Sequence, residues 1–191
     1  NPGTLLPTIR SRCAQMKLSP LSSDDFARAM RQLYPDMSDD NFSALATLSG
    51  GSPGLAAAYE GEGALALYEE MLSVLAALPA PDPLKIHAFA DQVVSGKTHA
   101  QFKMFVELSL LLFARAAKKA AGLPVAAVSD AENQVLEILA SLHSPAAWAA
   151  KWQQAAHDFS LAQARHLDYK QVVIVFFHSI ASPEPFLLSV G

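Results

Sequence analysis

The stretch SGGSPGLAAAY, residues 49–59, decides the fold class, because it ends one helix and begins another within a few residues. Gly50 and Gly51 stop the apolar periodic segment that precedes them, since glycine readily adopts the backbone that closes a helix. Ser52 and Pro53 then provide an N-cap followed by proline at the first helical position. The stretch therefore predicts two short helices joined by a tight turn.

On the N-terminal side of this stretch, the sequence predicts two helices. Ser22 and Asp25 have the spacing of a capping box, and apolar residues follow at helical spacing. Pro35 ends that helix, and Ser38 caps the next one. Residues 19–62 are thus predicted to form a small, compact three-helix unit.

On the C-terminal side, the composition changes to alanine- and leucine-rich segments with helical periodicity. Ser129 and Glu132 form another capping-box pattern, and Ser144 with Pro145 repeats the N-cap and proline start. Residues 63–191 are therefore predicted to form a larger helical bundle, which makes the chain mainly all-α. The predicted helices are about Ala64–Leu78, Pro83–Ser95, Thr98–Ala121, Ala131–Leu142, Pro145–Gln163 and His166–Ala181.

The composition is that of a chain that can bury a core and carries little net charge. Of its 191 residues, 51% are hydrophobic and 17% are charged, which argues against a disordered chain. The net charge of −4 provides no overall basic field for nucleic acid. One cysteine cannot form an internal disulfide or a thiolate metal site, and no targeting signal is visible, so we expect a cytoplasmic protein.

The sequence contains no pattern for independent catalysis. It has no P-loop, no HExxH and no nucleophile elbow, and no two histidines have the i, i+4 spacing of a helical metal site. We therefore expect the histidines to have surface or packing roles and no metal to be bound. The most apolar runs, Leu108–Ala114 and Val172–Phe177, are far shorter than the about 20 residues that span a bilayer.

The stretch LPTIRSRC, residues 6–13, is the best candidate for chemistry. It places Arg10 and Arg12 close together on a predicted short helix, Leu5–Arg12, ahead of a predicted brief strand, Ala14–Leu18. A guanidinium is planar and permanently charged, which suits phosphate recognition. From the residues alone, two ordinary surface arginines are the alternative.

The sequence LLPTIRSRC, residues 5–13, followed by AQMKLSPLS, resembles the end of an AAA+ nucleotide-binding domain in the replicative clamp-loader family. In that family a Ser-Arg-Cys motif follows the sensor-1 strand, and its arginine projects into the ATP site of the neighbouring subunit. The resemblance implies that Arg12 is an arginine finger acting in trans, with Ser11 and Cys13 supporting it. Residues 1–18 would then be the end of the AAA+ nucleotide-binding domain.

The stretch that decides the fold carries a second resemblance. SGGSPGLAAAY is similar to the start of the lid helix that carries sensor 2, where hydrolysing clamp-loader subunits have an arginine that touches the nucleotide. Gly54 stands at that position here, which is similar to a subunit that does not hydrolyse ATP. The resemblance implies a lid domain at 19–62 and a collar domain for oligomerisation at 63–191, the latter supported by HLDYKQVVIVFF at 166–177.

The function implied by the resemblance is that of a non-hydrolysing subunit of the DNA polymerase III clamp loader. Such a subunit gives an arginine finger to a neighbour's ATP site and joins the gamma/tau and delta subunits through its collar. The assembled complex loads the sliding clamp on primer-template DNA, while ATP is bound by the neighbouring subunits and no cofactor by this chain. The alternatives are a helical oligomerisation module without catalytic contribution and a hydrolysing subunit, which Gly54 disfavours.

The run Val172–Phe177 predicts a helix that is apolar all round, although its β-branched residues leave a strand as an alternative. A helix of this kind is buried on more than one side. We expect a neighbouring subunit to cover one of those sides. The alternative is a helix that is central within its own domain.

Overall fold

The computed structural model of the chain describes Thr8, Arg12, Ser19 and residues 21–95 and 99–182. All regular secondary structure within these residues is helical, which confirms the prediction of a mainly all-α chain. The helices are α1 Ser23–Leu33, α2 Asp39–Leu48, α3 Pro53–Gly61, α4 Ala64–Leu75, α5 Pro83–Val94, α6 Ala100–Ala120, α7 Asp130–Leu142, α8 Pro145–Ala164 and α9 Tyr169–Ile180.

Two predictions near the N-terminus fall almost entirely outside the described residues. Of the predicted helix Leu5–Arg12, Thr8 is helical and Arg12 lies at a turn. The remainder of that helix and the predicted strand Ala14–Leu18 lie outside the described residues.

Serine caps begin the helices where the sequence predicts them. The hydroxyl of Ser22 accepts a hydrogen bond from the Asp25 amide at 3.2 Å, and Ser38 caps α2 in the same way. Ser52 and Ser144 cap α3 and α8, each with proline in the first turn. Each cap satisfies an amide that would otherwise have no partner within the helix, so these local patterns set the starts of four helices.

The start of the last helix differs from the prediction. The sequence predicts a helix that begins at about His166, but His166 has a left-handed backbone with φ of 52°. Helix α9 begins at Tyr169, after Asp168, whose carboxylate accepts hydrogen bonds from the Lys170 and Gln171 amides. A carboxylate at the N-cap satisfies free amides and favours the positive end of the helix dipole, so Asp168 is the stronger start signal.

Helix α6 lies at the centre of the bundle and packs against α4, α5, α7 and α8. Aromatic side chains fill the space between α6, α8 and α9: the ring centroids of Phe105 and Phe176 are 5.1 Å apart, and those of Phe105 and Phe159 are 5.8 Å apart. Edge-on packing of this kind adds to the free energy gained by burying the rings.

The first three helices pack on one another and, through α2 and α3, on α4. Their buried side chains belong to the same continuous apolar core as those of the larger bundle. The side-chain amide of Gln101 on α6 also donates a hydrogen bond to the Glu62 carbonyl at 2.9 Å. The predicted boundary between residues 62 and 63 falls at the turn before α4, where Gly63 has φ of 71°, and the division into domains stays a prediction.

The run Val172–Phe177 is helical, as predicted, but its side chains are covered by this chain itself. Within the run only Val175 is half-buried, and the other five side chains are at most 8% exposed. Helix α9 packs on α5 and α8, and Phe176 also contacts α6. Most of the apolar surface of this helix is therefore buried within its own bundle, and cover by a neighbouring subunit on the side of Val175 stays a prediction.

Among the described residues, no helix combines the length and the apolar character that a crossing of the membrane needs.

Candidate functional site

Arg12, the predicted arginine finger, lies at a turn and its side chain is exposed. Ser11 and Cys13, the predicted supporting residues, and the neighbouring Arg10 lie outside the described residues. An exposed guanidinium at a turn has the reach and the hydrogen-bond donors to engage an anionic group on another molecule.

Gly54, at the position of the expected sensor-2 arginine, is the second residue of α3. Its backbone is not in the left-handed region, and a Cβ atom at this position would meet no heavy atom within 4 Å. Neither the backbone nor the packing of the described residues therefore demands glycine here. A residue with a side chain would therefore fit in the first turn of α3.

A groove of about 550 Å³ lies between α1 and α2 and reaches the Gly50-Gly51 turn that leads into α3. Its walls combine apolar side chains, among them Phe26 and Phe42, with the ion pair of Arg31 and Asp39, whose atoms are 2.6 Å apart. The Arg31 guanidinium also lies 5.5 Å from the centroid of the Phe42 ring. Because this arginine is already engaged twice, the groove offers an anion little free positive charge.

A buried charge network that the sequence pattern did not predict lies between α4, α6 and α7. Arg115 on α6 donates two parallel hydrogen bonds to the carboxylate of Glu132 on α7, at 2.6 Å and 2.8 Å. The hydroxyl of Tyr68 on α4 donates to the same carboxylate at 2.6 Å. All three residues are buried. A buried charge is tolerated only when it is paired and hydrogen-bonded, and both conditions hold here.

The same network includes the connection between α6 and α7. Arg115 donates a further hydrogen bond to the Ala126 carbonyl, and the Val128 amide donates to Glu132 at 2.6 Å. Burial raises the pKa of Tyr68, and the negative charge of Glu132 raises it further. Tyr68 therefore stays a neutral hydrogen-bond donor to the carboxylate across the range in which proteins are stable.

This arrangement corrects part of the capping-box prediction. Ser129 does cap α7, since its hydroxyl accepts from the Glu132 amide at 3.3 Å. The Glu132 side chain, however, does not complete the box at Ser129; it binds Arg115 and Tyr68 instead. The signal for this was Arg115, a charge that follows the apolar run Leu108–Ala114 on the buried face of a helix and therefore needs a partner.

A second buried basic side chain, that of Lys151, caps the C-terminus of α9. Lys151 on α8 donates to the carbonyl oxygens of Ser179 and Ser182 at 3.0 Å and 2.8 Å, and burial lowers its pKa. The Nε2 atom of His143 donates to the Ile180 carbonyl at 2.7 Å. These groups satisfy carbonyls that have no partner within the helix, so Lys151 and His143 act as caps.

The described part of the chain contains no group of three or more His, Cys, Asp or Glu side chains that could together bind a metal ion. His99 packs edge-on against Tyr169, with ring centroids 5.0 Å apart. His143 packs in a similar way on Trp148, at 5.1 Å. These two histidines have the packing roles expected from the sequence.

The comparisons with protein-family models, with curated protein sequences and with solved structures give no match to this chain.

Proposed function

We propose that this chain is the lid and collar part of a non-hydrolysing, delta prime-like subunit of a bacterial clamp loader, and that Arg12 is its arginine finger. The observation that carries the proposal is the exposed position of Arg12 within the sequence Ser-Arg-Cys. A finger must be free of its own chain to enter the ATP site of a neighbour.

The chemistry of such a finger follows from phosphoryl transfer. Negative charge develops on the oxygens around the γ-phosphate, and a guanidinium from a neighbouring subunit stabilises it. In well-studied nucleotide hydrolases this contribution amounts to about 10³–10⁵ in rate. Because the arginine comes from another subunit, it also links the state of the nucleotide to the packing of the two subunits.

Gly54 supports the non-hydrolysing part of the proposal. A side chain would fit at this position, yet none is present to contact a phosphate. A subunit that lends a finger and reads no nucleotide needs no arginine there. In this proposal ATP is bound by the neighbouring subunits and this chain holds no cofactor.

The proposal also assigns the two helical parts of the chain to assembly of the clamp loader. Residues 19–62 act as the lid, and residues 63–191 act as the collar that joins the gamma/tau and delta subunits. The assembled complex then opens the sliding clamp and places it on primer-template DNA. The support for this division is the three-helix unit α1–α3, followed by a larger helical bundle.

A helical interaction module without catalytic contribution is the second candidate, favoured by the outer face of α8. The only formally charged side chains of this 20-residue helix, Lys151 and Asp158, are both buried, while Trp152 is 39% exposed. Low charge and an exposed tryptophan are typical of the central part of protein interfaces.

The decisive experiment measures ATP hydrolysis in an assembled clamp loader in which only the site next to this subunit is active. Arg12→Ala should lower the single-turnover rate by about 10³-fold or more, the lower end of finger contributions, and leave assembly intact. Arg28→Ala is the matched control, because Arg28 is also exposed and, among the described residues, forms its ion pair with Asp25 on its own helix.

Equal rates for the two variants would contradict the role of Arg12. If, in addition, Trp152→Ala released the chain from its partners, the interaction module would be the better description.

A further inference from the structure

Apolar contacts alone do not determine the position of α7 along α6. The buried apolar side chains of α7 are Val135, Leu136 and Leu139, which recur at helical spacing. Burial of apolar surface is non-directional, and a slip by one turn, about 5.4 Å, presents similar side chains to the same partner helix. Hydrophobic burial therefore holds α7 against α6 without selecting one position along it.

The buried network removes this ambiguity because its hydrogen bonds are directional. One oxygen of Glu132 accepts from Tyr68 and from the Nε atom of Arg115, and the other accepts from a second Arg115 nitrogen and from the Val128 amide. These donors come from α4, α6 and the connection before α7. A slip of one turn would break the three bonds from Tyr68 and Arg115, which join α7 to other helices, and leave a buried carboxylate and a buried guanidinium without their partners.

We propose that the Tyr68–Arg115–Glu132 network is a register device that selects the position of α7 and of the connection 121–129 on α6. Its contribution is to the uniqueness of this position, and the net free energy of unfolding comes mainly from the apolar core. Breaking one partner of a buried pair is costly, whereas a well-packed apolar replacement of the whole pair is often neutral.

The register device also affects a groove between the three-helix unit and the bundle. Val128, Ser129 and Asp130 form one wall of a groove of about 410 Å³, and Asp40 and Ser43 on α2 belong to the opposite wall. Because the network anchors Val128 directly and α7 through Glu132, it also sets the shape of this groove.

Thermal unfolding and amide hydrogen exchange of the intact protein test the proposal with two main variants. Glu132→Gln should lower the Tm clearly, since it leaves Arg115 facing a neutral amide. The triple variant Tyr68→Phe, Arg115→Met, Glu132→Leu should regain most of that loss, because no buried charge remains unpaired. In the triple variant, the amides of residues 121–130 should exchange at least about 10-fold faster than in the wild type, while those of α8 and α9 keep their rates.

Two further variants make the test specific. Glu137→Gln is the control, because Glu137 and Lys119 form an ion pair at 2.6 Å between the same two helices, but with the carboxylate 63% exposed. It should change neither the Tm nor the exchange of 121–130. Arg115→Lys keeps the charge but loses the planar fork, so it should also accelerate exchange of 121–130.

Wild-type exchange rates at 121–130 in both the triple variant and Arg115→Lys would overturn the proposal, because packing alone would then hold the register. A triple variant as unstable as Glu132→Gln would overturn the claim that the network contributes little net stability. A similar acceleration of exchange in Glu137→Gln would show that any ion pair between α6 and α7 has this effect, and would equally overturn it.

Discussion

Glycine has opposite roles at two positions of this chain. Gly63 precedes α4 with φ of 71°, a left-handed conformation that costs a residue with a side chain about 1 kcal/mol or more. Gly54 lies in the first turn of α3 with an ordinary helical backbone and open space around its Cα atom. The first glycine is needed by the fold, whereas the second weakens the helix in which it lies.

This contrast predicts the effect of alanine at each position. Gly54→Ala should raise the free energy of unfolding by about 0.5–1 kcal/mol, because it lowers the backbone entropy of the unfolded chain without strain in the fold. Gly63→Ala, the matched control, should lower it by about 1 kcal/mol. Urea unfolding measures both values, and a loss of stability in Gly54→Ala would show that glycine is required in α3.

At the scale of one element, α9 shows how a helix without a polar face is accommodated. Val173 is fully buried, while Val175 is half-buried on the side that no other helix of the described chain covers completely. The helix is enclosed by α5 and α8 and by aromatic rings of α6. Its two ends are held by the Asp168 cap and by Lys151 and His143.

A charge placed on α9 should therefore have very different effects at two neighbouring positions. Val173→Glu should lower the free energy of unfolding by more than about 3 kcal/mol, since it buries a carboxylate without a partner. Val175→Glu should lower it by about 1 kcal/mol, because its carboxylate can reach water. Circular dichroism during urea unfolding checks both, and equal losses would contradict the observed orientation of the helix.

At the scale of the whole molecule, the three-helix unit and the larger bundle share one core and a polar contact near its edge. Tyr59 on α3 is 5% exposed. Burial raises its pKa to about 12, and the carboxylate of Glu107 on α6 contributes to this shift. The interaction thus links the two parts of the chain through a group that titrates only at alkaline pH.

The direction of the pKa shift predicts an alkaline loss of stability. The folded pKa of Tyr59 lies above its ordinary value of 10.0, so its contribution is complete below pH 10 and disappears as the pH rises through about 12. The upper limit of this contribution is about 3 kcal/mol, since one pKa unit corresponds to about 1.4 kcal/mol. Tyr68, whose pKa is also raised, adds to the decline. Lys151, whose pKa is lowered from 10.5, increases stability only as the pH rises to about that value, so it does not offset the decline above it.

Tyr59→Phe should therefore flatten the decline of the free energy of unfolding between pH 10 and pH 12 without abolishing it. Tyr34→Phe is the control, because the Tyr34 hydroxyl donates to the Ala57 carbonyl within the three-helix unit. Urea unfolding at a series of pH values measures the slope. An unchanged slope in Tyr59→Phe would mean that this hydroxyl is not held in the folded protein as described.

The sequence by itself determined the fold class and the starts of several helices, because these depend on neighbours along the chain. A serine before a proline specifies a helix start wherever it lies, as Ser52 and Ser144 show. The Ser-Arg-Cys motif and Gly54 are equally local, and both were visible in the sequence as candidate site positions.

Only the tertiary structure decided which side chains meet across helices. Glu132 satisfies every local rule for a capping box, yet Arg115 and Tyr68, 17 and 64 residues away, bind its side chain instead. The run Val172–Phe177 likewise has the composition of an interface, yet helices of its own chain cover most of it. Burial and charge pairing act through distance in space, and a sequence pattern records only distance along the chain.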